Sequence, residues 1–146
     1  MKKILTIIIT ILTLSTTVFA GDESVEKRVT DAFKKEFAAA QNARWQVTNK
    51  IYKVTFSLYD RTISAYFDRK GSLLGVTKNM LSTDLPYYLQ RELKEYYQSY
   101  WVTNLFELSN YQGTAYYVTL QSSEGKLILS SRGSNSWEYD EELNNY

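Results

Sequence analysis

The sequence predicts an α+β fold of two tandem repeats, each a helix followed by an antiparallel meander, with the helices on one face of the sheet. An apolar stripe at four-residue spacing occurs twice, 60 residues apart. Its members are Val25, Val29, Phe33 and Phe37, and then Leu85, Leu89, Leu93 and Tyr97. Alternating apolar and polar residues follow both stripes, and a turn written FDRKGS recurs as LSSRGS 62 residues further on. A helical period that gives way twice to a strand period predicts an internal repeat.

The first 20 residues, MKKILTIIITILTLSTTVFA, have the composition of a cleavable signal peptide. Two lysines precede a short apolar run, and Val18 and Ala20 stand where a signal peptidase cleaves. The run is short and contains threonines, which favours a signal peptide over a membrane-spanning anchor. We therefore expect a periplasmic or secreted protein, cleaved after Ala20 and not attached to the membrane, with an uncleaved anchor as the alternative.

The amino-acid composition excludes several classes of catalytic and metal-binding site. The chain contains no cysteine and no histidine, so Ser-His and Cys-His nucleophile pairs and ordinary zinc sites are excluded. Without Lys2 and Lys3, the 17 basic residues fall to 15 against 16 acidic ones, a net charge of −1. Nucleic-acid binding needs clustered positive charge and is not expected. We expect no enzyme activity, no metal and no cofactor, and a fold stabilised by packing alone.

The first repeat, residues 21–81, is predicted to begin with a helix in SVEKRVTDAFKKEFAAA. Three alternating segments follow, over 45–47, 52–58 and 63–67, which is typical of a half-buried meander. A two-residue turn at Asp60-Arg61 would set Leu58 opposite Ile63 and keep the apolar residues on one face. Asp68 to Gly71 suits a β-turn, with aspartate first and glycine last, before a short strand over about 72–76.

The second repeat, residues 82–146, is predicted to follow the same order. Its helix lies in DLPYYLQRELKEYYQSY, and Ser130 to Gly133 repeats the turn. The positions predicted to face the helix are Phe106, Leu108, Tyr116, Val118, Leu120, Leu127 and Leu129. The acidic C-terminal run WEYDEELNNY is predicted to be a solvated tail, since its carboxylates do not have the spacing of a calcium loop.

This organisation resembles the PepSY-like, β-lactamase-inhibitor-like (BLIP-like) family of exported bacterial proteins. The resemblance is carried by VEKRVTDAFKKEF, NARWQVTNKIYKVTF and SAYFDRKGSLLG, then by LPYYLQRELKEYY, GTAYYVTL and LILSSRGS. It implies two helix-then-sheet repeats in the periplasm or outside the cell, and the family name implies inhibition of β-lactamases or peptidases. The family offers no catalytic residues to carry over. Ser130 departs from the pattern, because the first copy has Asp68 there.

An uncovered sheet face rich in tyrosine is the predicted partner-binding surface. By parity, Tyr59, Tyr66 and Tyr117 face outward, near Leu105, Ile128 and Trp137. Tyrosine and tryptophan are enriched where proteins bind each other. The predicted contact residues, which include the two turns, are Tyr59, Asp60, Arg61, Tyr66, Asp68, Tyr117, Ile128 and Trp137. The alternative is an ordinary sheet face, since aromatic residues favour strands in any case.

Two functions follow as expectations. The first is a non-enzymatic exported binding module with a protein partner, an inhibitor or regulator of a periplasmic or secreted enzyme. The second is a structural or envelope-maintenance protein that self-assembles. A third reading, a hydrolytic pair formed by Asp60 and Asp68, is weak because both residues occupy positions where aspartate favours local turns.

Overall fold

A computed structural model of the protein describes residues 25–133 and 135–144, so the predicted signal peptide lies outside the described residues. These residues form two compact units that divide between Val76 and Thr77. In the described part of the chain, no helix has the length and apolar content needed to span a membrane.

The protein is α+β, and its described strands are antiparallel and hydrogen-bonded in chain order within each unit. The first unit contains α1 (Lys27–Glu36), β1 (Gln41–Thr48), β2 (Ile51–Leu58), β3 (Arg61–Phe67) and the beginning of β4 (Leu73–Asn79). The second contains the end of β4, a 3-10 turn (Ser82–Asp84), α2 (Tyr87–Tyr96), β5 (Trp101–Asn110), β6 (Gly113–Gln121), β7 (Lys126–Arg132), β8 (Glu138–Tyr139) and α3 (Glu141–Asn144).

The first core forms because α1 turns one apolar stripe toward the meander. Val29 and Phe33 are buried on the helix and pack against alternate strand residues. The strand residues of this core are Tyr52, Val54, Phe56, Ala65 and Phe67. The ring of Phe33 lies 5.1 Å from that of Phe56 and 5.4 Å from that of Trp45, in edge-on geometry. The predicted first helix and its buried face are therefore confirmed.

The hairpin between β2 and β3 keeps the predicted faces but not the predicted register. Leu58 lies opposite Arg61 instead of Ile63, and the two-residue turn is Tyr59-Asp60. The expected turn at Asp60-Arg61 is therefore wrong. Alternation fixes which face a residue takes, and a shift of two residues leaves every face unchanged. The apolar pattern alone could not separate these two registers.

The turn after β3 forms as predicted and is attached to α1. The carbonyl of Asp68 accepts a bond from Gly71 N, and its carboxylate accepts two, from Lys70 N and Ser72 N at 2.8 Å each. Gly71 has a φ of +84°, and a Cβ added there would lie 2.8 Å from the Arg28 carbonyl oxygen. Glycine is therefore required by both conformation and space.

The second core forms under Leu89 of α2 and under Leu85, which precedes the helix, and both are buried against Val118, Leu120 and Leu129. The predicted parity of β5 is wrong, because Leu105 faces this core while Phe106 and Leu108 lie on the other side. The register of β5 shifts between Val102 and Asn104. Phe106 and Leu108 are 4% and 1% exposed on that other side, so both faces of β5 carry buried apolar residues and their alternation alone could not decide the parity.

Two predictions for the C-terminal part of the chain are also wrong. Ser130 and Ser131 do not repeat the Asp68 turn, because β7 runs through them to Arg132 and pairs them with Tyr117 and Tyr116. Ser130 lacks the carboxylate that holds the first turn together. The predicted solvated tail instead forms β8 and α3, and Asp140 within it is only 4% exposed.

Candidate partner-binding surfaces

The hairpin tip between β2 and β3 presents an aromatic side chain to solvent. Tyr59 is 85% exposed, and Asp60 and Arg61 beside it are exposed as well. Tyr59 and Asp60 have φ angles of +49° and +61°, as a type I′ turn requires of both central residues. The ladder below the tip continues into the core through Phe56 opposite Ile63. The tip therefore lies on a well-anchored scaffold.

A tyrosine at this turn position is unfavourable for the backbone. The preceding hairpin uses Asn49 and Lys50, with φ angles of +50° and +67°, and asparagine is a residue that tolerates such angles. For a bulky side chain the left-handed conformation costs about 1–2 kcal/mol. Strained conformations of this kind cluster at functional sites. Tyr59 is thus both strained and exposed, a combination that packing does not explain.

The other predicted tyrosines do not share this surface. Tyr66 is 0% and Tyr117 is 1% exposed, so the exposure expected for them is wrong. Ile128 and Trp137 are buried too, at 3% and 6%. Parity predicts the side of a sheet on which a residue lies, but it does not predict whether that side is covered.

In the second unit, the C-terminal segment covers the sheet face that carries Tyr117. Tyr117 stacks on Phe106 with ring centroids 5.1 Å apart, and its hydroxyl accepts a hydrogen bond from Arg132 Nε at 3.2 Å. Arg132 also donates to Asp140 at 2.6 Å, and the side chain of Asn144 bonds both the N–H and the C=O of Ile128. These contacts tie residues 140–144 to the sheet face that carries Tyr117.

Trp137 lies on the opposite side of that sheet, in the core beneath α2. Its indole nitrogen donates to the Leu89 carbonyl at 3.1 Å, and its backbone nitrogen donates to the Glu92 carboxylate at 2.9 Å. Leu105, predicted to face outward, belongs to the same core. Trp137 therefore anchors the C-terminal segment to the helix.

Asp68 stands far from the tip. It follows β3, whereas Asp60 precedes it, and the strand is seven residues long. The two carboxylates therefore lie at opposite ends of a strand of roughly 20 Å. Paired carboxylates that cleave glycosides lie about 5–9.5 Å apart. The geometry does not form such a pair, and the Asp68 carboxylate is already bonded to two backbone N–H groups.

The titratable groups with shifted pKa values belong to the scaffold. A hydrogen bond from Arg69 lowers the pKa of Glu26, which ties the Asp68 turn to the start of α1. Burial lowers the pKa of Lys53, opposite Tyr66 on β2, and raises the pKa of Tyr97 and Tyr116. Among the described residues no group of three or more acidic side chains converges on a possible metal site.

The second unit also carries an open groove that sequence reasoning missed. It has a volume of about 360 Å³ and lies between residues 79–82 and 102–105. Leu81 is 70% and Val102 41% exposed at its wall, with Trp101 adjacent at 55%. Tyr111, at the β5–β6 turn, is 74% exposed. The register of β5 shifts beside this groove, between Val102 and Asn104.

Comparison with protein-family models and with curated proteins found no match for this chain. A BLIP-like protein from Bacteroides fragilis has a similar solved structure, with 20% identity and a TM-score of 0.71 over 82% of this chain and 86% of its own. A DUF2874 family protein from Bacteroides ovatus has 15% identity and a TM-score of 0.69, over 75% and 82%. A Bacteroides eggerthii protein, provisionally described as periplasmic, has 11% identity and a TM-score of 0.70, over 77% and 85%. The predicted BLIP-like fold is confirmed, and the likeness concerns the fold alone.

Proposed function

We propose that this chain is a non-enzymatic exported module that binds a periplasmic or secreted enzyme as an inhibitor or regulator. The contact would be made by the β2–β3 tip, with Tyr59 as the anchor and Asp60 and Arg61 beside it. The observation that carries the proposal is that Tyr59 is 85% exposed while its φ angle is +49°. Tyr59 is thus an aromatic ring that projects into solvent from a turn position whose backbone angle is unfavourable for a bulky side chain.

The physical argument rests on the energy of association. Tyrosine offers a large contact area with few rotatable bonds, so little entropy is lost when the ring is immobilised. A two-residue turn holds the ring in one place before binding, which reduces that loss further. Asp60 and Arg61 carry opposite charges, and we propose that they set the orientation of the partner while Tyr59 supplies the buried area.

The remaining parts of the proposal rest on resemblance. The target class follows from the BLIP-like likeness, and export follows from the predicted signal peptide and the Bacteroides eggerthii relative. We also propose that the two units descend from one duplicated PepSY-like repeat. The same order of helix and meander in both units supports this, although the two turns that suggested it differ in structure.

Affinity capture with a single-residue variant tests the binding surface. The bait is the exported chain, and Tyr59→Asn removes the ring while keeping a residue that accepts the turn. Tyr111→Asn is the matched control, because Tyr111 is 74% exposed at the turn of another hairpin. Fractions from the periplasm and the medium of the native host are applied, and captured proteins are identified by mass spectrometry.

We expect one enzyme to be retained by the wild type and by Tyr111→Asn, and to be lost with Tyr59→Asn. That enzyme is then assayed with and without the protein, and slower turnover would identify an inhibitor. Retention by all three baits would contradict the assignment of the surface. The variant with Tyr59, Tyr66 and Tyr117 all changed to alanine is not suitable, because two of these rings are buried.

A further inference from the structure

β1 is the edge strand of the first unit, and among the described residues β2 is its one hydrogen-bonded neighbour. In the second unit, the backbone of β7 is bonded by later parts of the chain. Beyond the two residues of β8, the side chain of Asn144 bonds Ile128 N at 2.9 Å and Ile128 O at 2.8 Å. An amide group thus occupies β7 backbone groups that a further strand would otherwise bond. The edge of β1 has no such cover from the described residues.

The backbone groups that this edge offers follow from the hairpin. Thr48 and Ile51 flank the two-residue turn Asn49-Lys50, and such a turn is closed by a hydrogen-bonded pair. Hydrogen-bonded pairs recur at every second residue, so Gln46 and Arg44 also bond toward β2. The N–H and C=O groups of Trp45 and Val47 therefore point away from β2. These four groups are available to another strand.

One antiparallel register uses all four groups when the added strand is β1 of a second copy. With Gln46 opposite Gln46 of the second copy, Trp45 lies opposite Val47 and each such pair can exchange two hydrogen bonds. A register centred on Trp45 would draw the irregular segment between Gln41 and Arg44 into the ladder. A register centred on Val47 would place Trp45 opposite the turn residue Asn49. The register centred on Gln46 avoids both the irregular segment and the turn residue.

The side chains agree with this register. Trp45 and Val47, both half-buried, meet across the two strands on the helix side, and an aromatic side chain beside a β-branched one is a favourable cross-strand pair. On the other side, Arg44 meets Thr48. Arg44 is the one charged residue of β1, so no like charges face each other, and the net charge of −1 that remains without Lys2 and Lys3 gives little repulsion between copies.

We propose that β1 forms an antiparallel edge-to-edge pair with β1 of a second copy, related by a two-fold axis at Gln46. The pairing goes beyond the proposed function and does not depend on it. Five residues from each copy take part, so the contact is small and the dimer forms in a concentration-dependent way. The proposed pairing also explains why no described side chain bonds the outer edge of β1 in the way that Asn144 bonds Ile128 of β7.

A thiol placed on the axis tests the register. The chain contains no cysteine, so Gln46→Cys introduces a single thiol. In the proposed dimer the two thiols lie opposite each other at a non-hydrogen-bonded pair, where Cα atoms are about 4.5 Å apart and within disulfide reach. Thr48→Cys is the control, because its thiol would lie opposite Arg44. Both positions are exposed, so both variants should fold.

With oxidised glutathione present, we expect Gln46→Cys to become a covalent dimer on a non-reducing gel, and Thr48→Cys to remain monomeric. Equal dimer formation by both variants, or by neither, would overturn the proposal.

A second pair of variants tests the backbone bonds. Val47→Ala removes the side chain and keeps the outward N–H, whereas Val47→Pro also removes the N–H, which an edge strand tolerates. Circular dichroism should show that both variants fold. By light scattering after size exclusion, we expect Val47→Ala to dimerise and Val47→Pro to associate about a hundredfold more weakly, since one bond is lost from each copy. Wild-type protein that stays monomeric at every concentration, or equal association of the two variants, would overturn the proposal.

Discussion

The sheet face that points away from the helix differs between the two units. In the first unit it carries Thr55, whose hydroxyl lies 2.9 Å from that of Ser64, and both side chains are half-buried. In the second unit the residue 62 positions after Thr55 is Tyr117, which is 1% exposed and stacked on Phe106. At these two positions the same alternation of residues thus produces a polar, partly solvated pair in one unit and a buried aromatic stack in the other, although Tyr66 on the same face of the first unit is 0% exposed.

This difference between Thr55 and Tyr117 reflects the C-terminal segment, whose residues are buried as part of the second unit. Asp140, Leu143 and Ile128 are each less than 9% exposed, whereas within residues 25–76 the Asp68 turn is followed by β4 alone. Burial of aromatic and aliphatic surface contributes about 25 cal/mol per Å². We infer that burial of these residues adds stability to this face of the second unit.

The largest effect is expected for the matched substitutions Tyr117→Ala and Thr55→Ala. Removing a fully buried aromatic ring leaves a cavity and should lower the free energy of unfolding by about 3–5 kcal/mol. Thr55→Ala removes a partly exposed hydroxyl pair and should lower it by about 0.5–1 kcal/mol. Urea unfolding followed by circular dichroism measures both values.

If Tyr117→Ala lost less than about 1 kcal/mol, Tyr117 would behave as a surface residue and the contrast between the two faces would not hold. An equal loss at Thr55 would likewise remove the contrast.

The two glycine turns provide the next test. Gly71→Ala combines a φ of +84° with a Cβ only 2.8 Å from the Arg28 carbonyl, and we expect a loss of about 2–3 kcal/mol. Gly133→Ala has a φ of +73°, and apart from its chain neighbours no described residue has an atom within 4 Å of the added Cβ, so strain alone should cost about 1 kcal/mol. Thermal unfolding compares the two variants, and equal losses would mean that the contact of the first turn with α1 is unimportant.

The sequence predicted the elements of the fold better than their details. Four-residue spacing predicted α1 and α2 and their buried faces, because a helix packed on one side must repeat near every 3.6 residues. Alternation predicted the strands that surround Val54 and Val118. It failed at Phe106, because β5 buries apolar residues on both of its faces, and the alternation of Phe106 and Leu108 was taken to mark the core face.

The binding surface was predicted less well. Tyr59 is exposed as expected, but the turn that holds it is displaced by one residue, since the two candidate registers bury the same faces. Tyr66 and Tyr117 were expected to be exposed because parity was treated as exposure. For Tyr117, whether the sheet face is covered depends on a distant segment, residues 140–144, whose acidic composition is typical of a solvated tail.

An intermediate effect is expected at Asp140. Asp140→Asn removes the negative partner of Arg132 from a site where the carboxylate side chain is 3% exposed and the arginine 43%. Breaking a fully buried pair costs about 3–5 kcal/mol, and the exposure of Arg132 reduces our expectation to about 1–2 kcal/mol. The control is Asp31→Asn on α1, whose pair with Lys27 is exposed and should give no measurable change.

Amide hydrogen exchange measures the effect of Asp140→Asn on each of the two units separately. In Asp140→Asn we expect faster exchange at the Leu143 amide, which bonds Asp140 Oδ1, while amides of β2 and β3 are unchanged. If amide exchange became faster by the same factor in both units, the Arg132–Asp140 ion pair would stabilise the whole chain and not the C-terminal segment in particular.

The smallest effect concerns Lys53, which the first unit carries where the second has Ala115. Burial lowers the pKa of Lys53 below its ordinary value of 10.5, because the charged form is less well solvated in the folded state. Below the folded pKa the lysine is charged in both states, so the full desolvation cost opposes folding. As pH rises from the folded pKa toward 10.5, the folded state releases its proton first, and this cost disappears.

Lys53→Met keeps the length of the side chain and removes the charge, so it should be more stable than the wild type at neutral pH. The advantage should shrink as pH rises toward 10.5, and urea unfolding at a series of pH values measures it. Lys70→Met, in the exposed turn after β3, controls for the loss of one charge and should show no such trend. A constant difference for Lys53→Met across this range would mean that Lys53 is solvated, and that this sheet face of the first unit is more open than its burial indicates.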